Sequence, residues 1–266
     1  MSRRTSAPSR LTLHWRVVQR VAEFIVLVLF RWRVRVEGLE HVPTDRGAVL
    51  VYNHHSYFDF VMVGWAIVRR LGRPARFLAK SEIWRNPITR WIVEGAHAVP
   101  VERGSSAGRH GAMAAAVAAL EQGDLVVVAP EQTISRSFDL LPMKSGAVRM
   151  AQAAGVPVVP VAGWGTQRFS TKGHGPHWAG RIPVVVRYGE PIEVGPDEDV
   201  HEATERVRDA LGGMLDDVQR TYPDGTPEGA WWVPARLGGS APPHDQVLAE
   251  HLDRGRRWVD DDSQAG

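Results

Sequence analysis

The residues with the most chemistry in them lie together at 50–60, LVYNHHSYFDF. An apolar run ends at Asn53, two histidines follow, and Asp59 stands five residues after His54. A carboxylate that accepts from the Nδ1–H of an imidazole fixes the tautomer and leaves Nε2 as a base. The same stretch also fits a capping box: Ser56 would cap a helix and Asp59 would reach back to its N–H. On that reading the histidines are loop residues. The two readings are compatible. Within a continuous helix, positions five apart are rotated by about 140° and face away from each other. A cap at Ser56 instead leaves His54 on the incoming loop, where its ring folds back over the first turn and Asp59. His55 then points the other way or packs against the strand end.

A catalytic pair needs something to activate. The chain has no cysteine, which excludes thiol nucleophiles, disulfides, Cys-based zinc sites and iron–sulfur clusters. There is no G-x-S-x-G nucleophile elbow. A His–Asp pair without a protein nucleophile points to an outside alcohol. His54 would deprotonate it, and the oxygen would attack an activated acyl carbon directly, with no covalent acyl-enzyme. No metal-ligand spacing occurs. His174 and His177 lie in a Gly/Pro loop and read as surface residues.

These residues need a frame. At 266 residues, 44% apolar and 23% charged, the chain has the make-up of a globular protein with a sizeable core. Short apolar runs at 48–52, 75–79, 96–101, 125–129, 156–162 and 182–188 read as strands. Helical patterns at 58–70, 83–93, 107–122, 147–154 and 200–221 alternate with them. Unbroken apolar strands between helices predict an α/β fold with a mainly parallel central sheet flanked by helices. In such sheets ligands sit beyond the carboxyl ends of the strands. His54 follows one strand and Glu131 another.

Residues 1–35 hold eight arginines and one acid, Glu23, so they carry +7 and leave the remainder at −5. No matching basic face recurs downstream, so no nucleic-acid partner is expected. In the 11–32 segment, polar and apolar residues alternate before the seven-residue apolar run 24–30. That run is too short to span a bilayer, which takes about 20 residues. An amphipathic helix lying at an anionic membrane surface is the expectation, with Trp15 and Trp32 as interfacial anchors. Three regions follow: a basic N-terminus and interface helix at 1–35, a catalytic α/β domain at 36–221, and a partly flexible C-terminal extension at 222–266. The last eight residues are expected to be disordered.

N-H-H-S-Y-F-D resembles the NHx₄D signature of the glycerolipid acyltransferases, which include the lysophosphatidic acid acyltransferases. The likeness continues in the family's order. Residues 96–104 (AHAVPVERG) resemble its second block, residues 130–136 (PEQTISR) its third, usually written PEGTRS, and residues 156–161 (VPVVPV) its fourth. Residues 77–80 and 143–147 fit the stretches between blocks, and the resemblance covers roughly 36–195.

Carried over, this resemblance implies His54 as the base and Asp59 as its orienter. It implies Arg103 as a phosphate contact and Glu131 as a group that helps place the acceptor. Lys80, Thr133 and Arg136 are further substrate-binding candidates. No cofactor or metal is implied. Acyl-CoA or acyl-carrier protein would be the co-substrate and a membrane lipid the acceptor, with 1-acylglycerol-3-phosphate first among them. The enzyme would work at the cytoplasmic face of the cell membrane as a peripheral or monotopic protein. Two positions depart from the pattern. Gln132 replaces a glycine and should resist a positive φ. Ile134 replaces an arginine that could grip phosphate bidentately. A glycolipid or lyso-aminolipid acceptor therefore stays open, as does a lipid-binding relative without catalysis.

Overall fold

The computed structural model describes residues 31–95, 98–101, 106–178 and 180–253, together with Leu13, Val17, Arg20, Val21, Glu23 and Phe24. Among the described residues, seven strands form one sheet: β1 (Arg33–Glu37), β2 (Ala48–Tyr52), β3 (Ala75–Lys80), β4 (Val99–Val101), β5 (Leu125–Val128), β6 (Val158–Trp164) and β7 (Pro183–Tyr188). Their order is β1-β7-β6-β2-β5-β3-β4. Every neighbouring pair is parallel except β6 with β7. The helices that accompany them include α1 (Asp59–Leu71), α2 (Pro87–Gly95), α3 (Ser106–Glu121), α4 (Gly146–Ala154) and α5 (Val200–Arg220).

The central strand explains why both faces are covered. All five residues of β2 are buried, and successive side chains point to opposite faces. Val49 and Val51 join a core with Ala116 and Leu120 of α3, Val148 and Met150 of α4, and Val207 and Leu211 of α5. Ala48, Leu50 and Tyr52 join the other core, with Met62, Val63, Ala66 and Ile67 of α1. Helix ends follow their local chemistry. Gly72 and Gly155 close α1 and α4 in the left-handed conformation. Asp199 caps α5 through the N–H groups of His201 and Glu202.

The mainly parallel α/β sheet matches the sequence expectation, but details differ. β1 straddles the expected boundary at 36. Its Arg33 and Arg35 are exposed, so an edge strand that pairs with β7 looks, in sequence, like part of a basic tail. The helix expected at 83–93 is instead a 3₁₀ turn, Ser81–Arg85, followed by α2. Pro87 opens α2 because the first helical position needs no N–H partner. The strand expected at 96–101 is described only at 99–101.

The C-terminal extension is built into the core. Tyr222, Trp232, Val233 and Ala241 are buried in the cluster around α5, and residues 244–253 are helical. The expected disordered tail lies outside the described residues. So does most of the expected interface helix. Its described residues are helical, with Leu13, Val17, Val21 and Phe24 exposed. Glu23 accepts from Arg69 of α1 at 3.0 Å. Among the described residues no helix is long and apolar enough to cross a membrane.

Candidate active site

Three adjacent parallel strands, β6, β2 and β5, end at the same edge of the sheet. The loops that leave them hold the site. After β2 come Asn53, His54, His55 and the turn into α1. After β5 comes the long loop 129–145, and after β6 the segment 165–171.

Asp59 sits in the first turn of α1 and is buried. Its Oδ2 accepts from the backbone N–H groups of His55 and Ser56, each at 2.7 Å. The Nδ1 of His54 lies 3.2 Å from the same oxygen. The capping box is half formed. Asp59 reaches back to the N–H of Ser56, but the Ser56 hydroxyl accepts from Phe58 N–H at 3.0 Å and leaves the helix without a side-chain cap. That turn lifts His54 off the helix axis and aims its ring at the carboxylate. An ionised carboxylate only accepts, so Nδ1 of His54 is the donor in this contact, and in the neutral ring Nε2 is the acceptor. The side chain of His54 is 22% exposed, against 1% for Asp59.

His55 is a different kind of residue. It is fully buried, with its ring edge-on to Phe138 and Trp164. Asn53 Nδ2 donates to its Nδ1 at 3.1 Å. Burial lowers its pKa to about 4, so the imidazole is neutral at physiological pH. Asn53 also exchanges two hydrogen bonds with the backbone of Gly163 in β6, at 2.9 and 2.7 Å. These tie the strand end to its neighbour.

Glu131 is buried as well, only 1% exposed. One oxygen accepts from His54 N–H at 2.7 Å and the other from Leu141 N–H at 2.9 Å. Ser135 N–H donates to His54 O at 2.8 Å. Glu131 thus clamps the backbone of His54 to the loop after β5. Burial raises its pKa to about 8, against the pull of the two N–H groups.

The remaining candidates are placed less centrally. Thr133 is half-buried in the same loop. Arg136 turns outward and pairs with Glu250 of the C-terminal extension. Lys80 ends β3, two strands away from β2, and its side chain is not among those described. Arg103 lies outside the described residues. Gln132 does adopt a left-handed backbone, φ 57, at a cost of about 1 kcal/mol. Ile134 is buried.

The segment after β6 also reaches the site, although its residues carry no motif in the sequence. The Ser56 hydroxyl donates to Ser170 O at 2.8 Å, and the Thr171 hydroxyl donates to His55 O at 2.6 Å. Thr166 donates to Asp59 Oδ1. The available signal was Gly165 in G-W-G-T. It has φ 107, and a Cβ there would stand 2.1 Å from Pro183 O. Gly165→Ala is therefore expected to destabilise the fold by roughly 3 kcal/mol, read from the shift of its urea midpoint.

Residues 33–164 match the protein-family model described as Acyltransferase. Over that stretch the chain is similar to the acyltransferases. All of His54, Asp59 and Glu131 fall inside the matched acyltransferase region. Among curated proteins, a chloroplastic 1-acyl-sn-glycerol-3-phosphate acyltransferase of Arabidopsis thaliana is 29% identical over 184 residues, 68% of this chain and 49% of that protein. A 1-acyl-sn-glycerol-3-phosphate acyltransferase of Bacillus subtilis is 29% identical over 137 residues, 52% of this chain and 65% of that protein. The matched stretches cover between 40% and 57% of the first three curated relatives. The crystal structure of the 1-acyl-sn-glycerophosphate acyltransferase from Thermotoga maritima superposes with a TM-score of 0.63 at 24% identity. It covers 78% of this chain and 80% of its own, a likeness of fold.

Proposed function

We propose that the chain is an O-acyltransferase that moves a fatty acyl group from an acyl thioester to the free hydroxyl of a lysophospholipid, with 1-acylglycerol-3-phosphate as acceptor and phosphatidic acid as product. The observation that carries this reading is the contact of His54 Nδ1 with a buried Asp59 that is already held by two backbone N–H groups. The names of the relatives support the acceptor.

In the reaction, Nε2 of His54 takes the proton of the acceptor hydroxyl as its oxygen attacks the thioester carbonyl carbon. Asp59 holds the imidazole in that tautomer and offsets the positive charge it gains. The tetrahedral intermediate collapses, the C–S bond breaks, and the departing thiolate recovers the proton from His54. The protein itself forms no covalent bond. Acyl-CoA or acyl-carrier protein supplies the thioester. The exposed Leu13, Val17, Val21 and Phe24 support peripheral association with an anionic membrane surface at the cytoplasmic face.

One observation favours a second acceptor class. Arg136 is engaged by Glu250, and Ile134 is buried, so neither position in the loop after β5 offers a free guanidinium to a phosphate. A glycolipid or lyso-aminolipid would need less positive charge. Purified enzyme supplied with radiolabelled acyl-CoA or acyl-carrier protein decides between them. Labelled phosphatidic acid from lysophosphatidate is the expected product. Turnover confined to uncharged or amino acceptors selects the second class, and no transfer to any of them overturns the assignment.

A further inference from the structure

Asp59 is held from two sides, and only one of them belongs to its own turn. Its Oδ2 takes the N–H groups of His55 and Ser56 and faces His54. Its Oδ1 takes the hydroxyl of Thr166, 107 residues further along the chain. Thr166 opens the 3₁₀ turn Thr166–Arg168, directly after β6, and is 3% exposed. It stands two residues beyond the end of the family match at 164.

The turn that carries Thr166 is hydrogen-bonded within itself. Gly165 N–H donates to Gln167 Oε1 at 2.8 Å, and Phe169 N–H donates to Thr166 O at 3.0 Å. Downstream, Ser170 O and the Thr171 hydroxyl grip Ser56 and His55. The segment after β6 thus encloses the catalytic turn, and Thr166 is the member of it that reaches the carboxylate.

We propose that Thr166 is a positioning residue for the His54–Asp59 pair: its hydroxyl fixes the rotation of the Asp59 carboxylate so that Oδ2 stays turned to the imidazole. A carboxylate with one oxygen anchored to the backbone can still tilt about its Cβ–Cγ bond. A donor on the second oxygen removes that freedom and satisfies a buried acceptor that would otherwise lose its partner. The assignment rests on the general-base reading of His54.

Thr166→Val keeps the shape and removes the donor, whereas Thr166→Ser keeps the donor. In acyl transfer from acyl-CoA to lysophosphatidate, Thr166→Val should lower kcat roughly tenfold, with KM within about twofold. Thr166→Ser should stay within about threefold of wild type. If Thr166 acts through Asp59, the Val substitution costs nothing further in an Asp59→Ala background. Should Thr166→Val not fold, Thr166→Ala takes its place under the same criteria. Wild-type kcat in the donor-less variant overturns the proposal, and so does an equal loss in the Asp59→Ala background. His54→Ala, assayed alongside, separates the two levels. A full rate there ends the general-base reading and this proposal with it, while a rate lost there but kept in Thr166→Val removes Thr166 alone.

Discussion

His54→Ala is expected to lose on the order of 10²–10⁴-fold in kcat, whereas His55→Ala loses less than about tenfold when both are assayed well below their melting temperatures. The two imidazoles are adjacent in sequence and opposite in circumstance. His54 is part-exposed and meets a carboxylate through Nδ1. His55 is sealed between Phe138 and Trp164, and burial keeps it neutral down to about pH 4. Truncating His55 leaves a cavity and costs about 2 kcal/mol or more of stability, which appears in a denaturation curve rather than in turnover. Equal losses of kcat in the two folded variants would mean that the wrong ring has been assigned as the base.

Much of this arrangement was legible in the sequence. The unbroken run 48–52 identifies β2 because a strand buried on both faces has no polar alternation to show. The spacing of His54, Ser56 and Asp59 requires the first residue to sit outside the helix, and it does. What stayed hidden depends on distant pairing. β1 alternates arginine with valine, a pattern shared by an edge strand and a basic tail, and only β7 across 150 positions decides it. Thr166 is an ordinary residue in its own neighbourhood and matters only because β6 lies beside β2. Arg136 and Glu131 stand five residues apart in one loop, yet one turns out to Glu250 and the other inward. No local pattern sorts them, because the loop 129–145 has no helix or strand period. Its backbone takes left-handed conformations at Gln132 and Phe138.

The inward turn of Glu131 changes what its substitution should do. A residue that placed the acceptor would raise KM when removed. A buried clamp on the backbone of His54 should instead lower kcat, by about 10²-fold, and leave KM nearly unchanged. In Glu131→Gln the amide oxygen can still accept one N–H. The amide NH₂ then faces the other donor, so the N–H of His54 or of Leu141 loses its acceptor, costing about 1–3 kcal/mol. The pH dependence has a definite sign. The folded pKa of Glu131 is raised from 4.5 to about 8 by burial, so the folded state prefers the protonated acid. That contribution is fully present below pH 4.5, is lost as pH rises toward about 8, and is flat above it. Glutamine does not titrate. The stability of the wild type relative to Glu131→Gln should therefore fall between pH 4.5 and 8, as read from urea midpoints across that range. A gap that stays constant with pH would show that Glu131 is ionised throughout, its two N–H donors outweighing the burial.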